Sequence, residues 1–353
     1  MKLLVIRYSA LGDVAMTVPV IDSLARQYPD LKISILSQDF MAPLFALLPT
    51  NVTFMGVNQH DYNSFSGLCR IYKMLRREHF DAVADIHDVI RTRLLRPIFW
   101  RHSVKKAYIN KGRVEKNTLC RKKNKKLVQL KTSFDRYAEV FNKLGWPVTI
   151  NFQSIFGLGK GDTTLFKELA TPIEGQQWIG FAPFAALRGK RLPIKTINEV
   201  IKLLCTDHNI HLFLFGGGKK EVQQSQKMAE GIPQVTTVAG RLNLTGELAL
   251  MSHLHVMVSM DSANMHLASL VNIPVVSVWG ATHPYSGFMG WRQSESLAVQ
   301  TTLDCRPCSI YGNKPCLRGD YACLSEISAL DIVRKVNSIL ANNHEKDSSQ
   351  SKI

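Results

Sequence analysis

Residues 254–282, LHVMVSMDSANMHLASLVNIPVVSVWGAT, restrict the possible folds more than any other stretch of this chain. An apolar run from His255 to Met260 stops at Asp261 and Ser262, a helical stretch covers Asn264 to Val271, and a second apolar run covers Ile273 to Trp279. Strands that are apolar throughout, rather than at alternate positions, belong to parallel sheets covered on both faces, so the stretch reads as a βαβ unit. The break puts small residues where the first strand's carboxyl end meets the helix's amino end. Backbone N–H groups without intrahelical partners and the positive end of the helix dipole favour a phosphate there. Helix capping by Asp261 or Ser262 accounts for the same residue types without any ligand.

The remainder alternates strand with helix. A strand over Lys2–Arg7 leads through Ser9–Asp13 into an amphipathic helix with Val14, Val18, Ile21 and Ala25 on one face, closed by Pro29. Strands follow near 32–36 and 52–57, helices over Met41–Leu48 and Gly67–Arg77, and a strand over Ala82–Ile86 that ends at His87 and Asp88. Residues 105–131 have little apolar periodicity and read as a loop or loosely folded flap. A helix over Phe134–Leu144 precedes a Gly- and Pro-rich join at 151–175. In the second half, strands at 178–181, 211–215 and 236–239 alternate with helices at 194–205, from about Lys220, and at 244–254. A final helix over Ala329–Leu340 and a polar tail expected to stay disordered close the chain. The pattern predicts an α/β protein of two Rossmann-like, doubly wound domains: 1–160, 161–330, and a terminal helix with its tail over 331–353.

No apolar run approaches the ~20 residues of a membrane span. The start is too short and too soon charged for a secretory signal, so a cytosolic protein is expected. The net charge of +16 is uneven along the sequence. Residues 1–150 carry 25 Lys and Arg against 12 Asp and Glu, and residues 101–131 carry 12 against one. Such a field fits an anionic partner; with no aromatic-interleaved basic motif, nucleic acid is not expected. Cys305, Cys308, Cys316 and Cys323 fall in one segment. In a cytosolic chain they read as ligands of a structural zinc or as free buried thiols.

No G-x-G-x-x-G follows the first strand and no G-x-x-x-x-G-K-[ST] is present. The chain can hold phosphates without being a dehydrogenase or an NTPase of those kinds. Several segments, in order, resemble glycosyltransferase family 9, the ADP-heptose:lipopolysaccharide heptosyltransferases of GT-B fold. They are Arg7-Tyr-Ser-Ala-Leu-Gly-Asp-Val14, the turn Lys190-Arg-Leu-Pro193, the loop Gly216–Glu221, Asp261-Ser-Ala-Asn-Met-His266 and Pro274-Val-Val-Ser-Val-Trp-Gly280. Ala263 stands where the family commonly has glycine.

The resemblance implies a GT-B-like arrangement of the two domains across a cleft and an inverting transfer of heptose, or a related sugar, from an ADP-sugar to a lipopolysaccharide or lipooligosaccharide core. The ADP-sugar is then a co-substrate, and no cofactor is required. Asp13 matches the catalytic base, a role worth about 10²- to 10⁴-fold in rate. Lys190 and the amides after Asp261 would stabilise the departing diphosphate without a metal. Gly12, Glu221, Asp261, Ser262, Ala263 and His266 match donor-binding positions, with Glu221 on the ribose. The basic residues Arg91, Arg93 and Arg136 fit an anionic, lipid-linked saccharide acceptor at the cytosolic face of a Gram-negative inner membrane. Competing readings are a Rossmann-type nucleotide-sugar epimerase or dehydrogenase, and a non-catalytic binder of anionic glycolipid or RNA.

Overall fold

Every strand pairing in the computed structural model, which describes residues 1–99 and 103–350, is parallel, and the strands form two separate sheets. The chain divides into two units: Met1–Gly112 with Lys131–Ile155, and Arg113–Leu130 with Phe156–Ile353. In the first, β1 (Lys2–Ile6), β2 (Lys32–Gln38), β3 (Val52–Val57), β4 (Ala82–Asp85) and β5 (Lys105–Tyr108) lie in the order β3-β2-β1-β4-β5. The second holds β6 (Gln177–Ala182), β7 (Ile210–Leu214), β8 (Val235–Thr237), β9 (Val256–Met260), β10 (Val275–Trp279) and β11 (Ala298–Gln300). Their order is β11-β10-β9-β6-β7-β8.

Both orders reverse direction beside the first strand of the unit, between β1 and β4 and between β6 and β9. Ligands of open α/β sheets bind beyond the carboxyl ends of the strands at such switch points. The central strands are sealed on both faces: Leu3, Leu4 and Val5 of β1 and all of Val256–Met260 in β9 are fully buried. Continuous apolar sequence therefore gives central parallel strands, as the opening stretch predicts.

The two α/β units agree with the predicted fold class; several local elements differ. The single helix expected after β1 is two, Leu11–Ala15 and Val18–Gln27. Pro19 lacks an N–H and suits only a first turn, so the helix restarts there. The segment expected to be a loose flap is ordered. Residues 105–108 form edge strand β5, and Arg113–Leu119 is a helix whose Leu119 is fully buried. Residues 113–130 belong to the second unit, where the Leu130 amide donates to the Tyr285 carbonyl at 2.9 Å. The Gly-rich join packs too: the Gly161 amide donates to Ser252 Oγ at 2.8 Å and Phe166 is 1% exposed. The final helix runs over Ala329–Gln350, beyond the Leu340 end expected from the polar tail.

Candidate active site

In the first unit, β1 delivers Arg7 and the loop to Asp13, and β4 delivers His87 and Asp88, from either side of the switch point. The Arg7 guanidinium is buried; it bonds the Ile86 carbonyl at 3.0 Å and pairs with Asp13 Oδ2 at 2.7 Å. Asp13 sits in the first turn of the Leu11–Ala15 helix, and the Tyr137 hydroxyl donates to its carbonyl at 3.3 Å. Its side chain is 32% exposed, so the carboxylate is held by Arg7 yet reaches solvent. Asp85, 1% exposed, accepts from the His87 and Asp88 amides at 3.1 and 2.7 Å and folds the loop after β4. Burial, with the positive charges of Arg7 and Lys111, pushes the His87 imidazole down to about 3, against the opposing pull of Asp13 and Asp88. His87 is therefore neutral in ordinary buffers.

In the second unit, the loop after β6 carries Lys190 and Asp261 directly follows β9. Their side chains pair at 2.9 Å, with Lys190 17% and Asp261 4% exposed. The Ala281 amide donates to the Gly189 carbonyl at 2.8 Å, tying this loop to the end of β10. Gly312 has a left-handed φ of +78°, and a Cβ there would stand 2.8 Å from Lys190 Cγ, so glycine lets the lysine stem pass. Ser262 is the N-cap of the Ala263–Leu270 helix but makes no side-chain cap bond. The capping explanation for these residues thus fails for Ser262. Glu221 Oε2 accepts from the Gly217 amide at 2.8 Å, closing the loop before the Gly218–Ala229 helix. His266 lies one turn beyond Ser262 and is 6% exposed.

Residues 68–315, well over half of the chain, match the family model "Glycosyltransferase family 9 (heptosyltransferase)". The chain belongs to glycosyltransferase family 9. It is therefore a glycosyltransferase, and its similarity to individual members of the family is distant. It is 25% identical to lipopolysaccharide heptosyltransferase 3 of Escherichia coli, over 77% of this chain and 81% of that protein. It is 24% identical to lipooligosaccharide heptosyltransferase 2 of Haemophilus influenzae, over 80% of this chain and 84% of that one. Among solved structures, E. coli heptosyltransferase WaaC with ADP-2-deoxy-2-fluoro heptose superposes with a TM-score of 0.67 at 19% identity, covering 97% of this chain and all of that one. A family 9 glycosyl transferase from Veillonella parvula gives 0.73 at 18%, covering 97% of both chains. E. coli ADP-heptose lps heptosyltransferase II gives 0.71 at 18%, covering 98% of this chain and all of that one.

Within the family 9 fold, the residues named from sequence fall into two groups at strand ends, Gly12 and Asp13 in the first unit and Lys190, Glu221, Asp261, Ser262, Ala263 and His266 in the second. The acceptor candidates differ from one another. Arg91 is exposed, with its guanidinium 5.3 Å from the Tyr62 ring centre. Arg93 is forked onto Asp88 at 2.9 and 2.9 Å, so its charge is already answered. Arg136 is 4% exposed, bonds the Asn110 carbonyl at 3.1 Å and fills the space a side chain at Gly112 would need. Arg101 lies outside the described residues. Sequence reasoning missed Arg7 as the partner of Asp13, although both stand in one matched segment. It also missed Lys111, whose Nζ bonds the Asp88 carbonyl at 3.0 Å. The available signal for the β4 loop was His87-Asp88 at the end of a buried strand.

Cys305, Cys308, Cys316 and Cys323 are free thiols that line one small cavity. Among the described residues no group of three or more His, Cys, Asp or Glu is arranged to hold a metal ion. No helix among them is long and apolar enough to cross a membrane.

Proposed function

We infer that this family 9 glycosyltransferase moves a heptose from ADP-heptose to an anionic core saccharide of lipopolysaccharide or lipooligosaccharide, at the cytosolic surface of the inner membrane. The single observation that carries the reading is the position of the residues that resemble the family's motifs. Asp13 follows β1, Lys190 follows β6 and Asp261 follows β9, each beyond a strand that flanks its sheet's switch point.

In this reading Asp13, oriented by Arg7, takes the proton of the acceptor hydroxyl as that oxygen attacks the anomeric carbon. The bond to the nucleotide diphosphate breaks on the opposite face. Lys190 leaves its pairing with Asp261 to meet the negative charge developing on the leaving phosphate, and the first-turn amides from Ala263 onward add to that stabilisation. Asp261, released from the lysine, accepts from donor hydroxyls, and Glu221 does the same for the ribose. Arg91 contributes positive charge toward the acceptor.

The test combines binding and turnover on the purified chain. ADP titrated calorimetrically should bind in preference to UDP, GDP and NAD, and Lys190→Ala should weaken it by about 1.5–3 kcal/mol, as for a lost charge-assisted contact. Asp13→Ala should lower transfer from ADP-heptose to a core acceptor by about 10²- to 10⁴-fold with ADP binding unchanged. Binding of NAD alone, or transfer unharmed in Asp13→Ala, would overturn the reading.

A further inference from the structure

Arg306 stands just after β11, where the chain leaves the second sheet, and the transfer steps described above give it no part. It is 5% exposed, and its whole guanidinium is turned into the fold. Nε donates to the Gly280 carbonyl at 2.6 Å and Nη1 to the Thr301 carbonyl. Nη2 reaches the carbonyls of Trp279 at 3.1 Å and Thr282 at 3.0 Å and Gln300 Oε1 at 3.0 Å. Trp279 and Gln300 are register partners at the carboxyl ends of β10 and β11. One side chain therefore clasps two strand ends and the loop that follows β10. All five acceptors are neutral oxygens. Taking a cation out of water is costly, and hydrogen bonds from a charged donor, stronger than those between neutral groups, offset that cost only while the loop keeps its shape.

The loop held in this way is the one that touches Gly189. Ala281 lies between Gly280 and Thr282, whose carbonyls Arg306 takes, and its own amide donates to the Gly189 carbonyl at 2.8 Å. Its carbonyl accepts from the amides of Cys308 and Ser309 at 3.1 and 3.3 Å. The contact has no slack: a Cβ on Gly280 would stand 2.6 Å from the Gly189 carbonyl oxygen, and one on Gly189 would stand 2.9 Å from Ala281 Cβ. A second route runs through the same segment. The fully buried Ser309 hydroxyl accepts from the Gly312 amide at 2.9 Å, and Gly312 flanks the Lys190 stem. Lys190 follows Gly189 directly and pairs with Asp261 at 2.9 Å. Close-packed segments transmit a displacement rather than absorb it, so the loop after β10 and the Gly189–Lys190 turn move together.

We propose that Arg306 is a positioning residue of the donor site: its guanidinium fixes the loop after β10, and that loop holds Gly189 so that Lys190 is set to receive the leaving diphosphate. The inference rests on the reading of Lys190 as the cation that meets that diphosphate. Arg306 is sealed from solvent and its donors are spent on the loop, so it acts through the lysine and touches no substrate. A binding group misplaced by about 1 Å can cost about 10²-fold in rate, which is how a side chain remote from the chemistry comes to matter. Lysine cannot replace it, because an ammonium is a point donor and lacks the planar fork that reaches both strand ends at once.

A double-mutant cycle on the full chain, read by calorimetric titration with ADP, is the test. Arg306→Met should weaken ADP binding at least about tenfold in the wild-type background and less than about twofold in the Lys190→Ala background, since residues that act through one another are not additive. Arg318→Gln removes an exposed arginine of the same segment, paired with Asp320, and should bind ADP as the wild type does. Should Arg306→Met fail to fold, Arg306→Lys takes its place in the cycle, keeping charge and stem without the fork, and should show the same pattern. An equal loss in both backgrounds would reveal a merely structural arginine and overturn the proposal, as would undiminished ADP binding in a folded Arg306 variant. Lys190→Ala that binds ADP like the wild type would sink the reading of Lys190 itself. A weakened Lys190→Ala beside an unaffected Arg306 variant would sink the positioning alone.

Discussion

At the scale of single residues, the first unit concentrates buried charge around one neutral imidazole. His87 is packed among Arg7, Lys111, Asp13 and Asp88, and its pKa lies far below the ordinary histidine value. Unfolding returns it to about 6.5, so between pH 6.5 and about 3 the unfolded chain binds a proton that the folded chain does not. The contribution is complete above the unfolded value and is lost as pH falls through that window. His283 is pushed down to about 4 by burial and by Arg306 and Lys125, so it acts in the same direction in the second unit. His87→Phe should therefore flatten the acid limb of thermal stability by about 2 kcal/mol between pH 6.5 and 4.5, leaving a residual slope from His283. Melting curves of variant and wild type that stay parallel from pH 8 to 4.5 would contradict this placement of His87. Sequence named His87 only as the end of a strand. The charges that set its protonation come from residues 7, 13 and 111, far apart in the chain and joined only by the order β1-β4-β5.

At the scale of elements, long apolar runs were legible and edges were not. Strands β1, β6, β9 and β10 are apolar because both faces are covered, and the sequence predicts each within two residues of its end. β11, three residues long and beside only β10, carries too short a pattern to be seen. β5 was hidden because two of its four residues are lysines, which an edge strand tolerates. The Leu244–Met251 helix shows a further effect that spacing does not reveal. Burial pushes the carboxyl of its first-turn Glu247 up to about 7, so folding opposes its ionisation. In the unfolded chain Glu247 ionises near the ordinary value of 4.5, and stability therefore falls as pH rises from 4.5 to about 7. Glu247→Gln keeps the shape without the charge. It should stabilise the protein by about 1–3 kcal/mol at pH 8, a rise of several degrees in melting temperature, and by almost nothing at pH 4. A neutral or destabilising effect at pH 8 would show that the carboxylate finds compensation that burial does not suggest.

At the scale of the whole molecule, folding redistributes the charge. Along the sequence residues 1–150 carry a net +13 and the remainder +3. Residues 113–130, with seven basic side chains and one acid, belong to the second unit, and the units then carry +7 and +9. The basic excess therefore does not mark the first unit as the acceptor side. Arg121, Lys122, Lys123 and Lys126 are exposed in one short stretch, whereas Lys116 and Lys125 of the same segment are drawn inward. A cluster of this kind gains about 1 kcal/mol per side chain near an anionic membrane and is screened beyond about 10 Å at 0.1 M salt. The chain should therefore sediment with phosphatidylglycerol-containing vesicles at low salt and be released at high salt. Arg121→Gln/Lys122→Gln/Lys123→Gln should weaken that binding by at least about tenfold, while Arg91→Gln, a single charge on the other unit, should change it far less. Binding that survives the triple substitution would move the membrane-facing surface to the first unit. Binding absent at every salt concentration would contradict the proposed membrane contact.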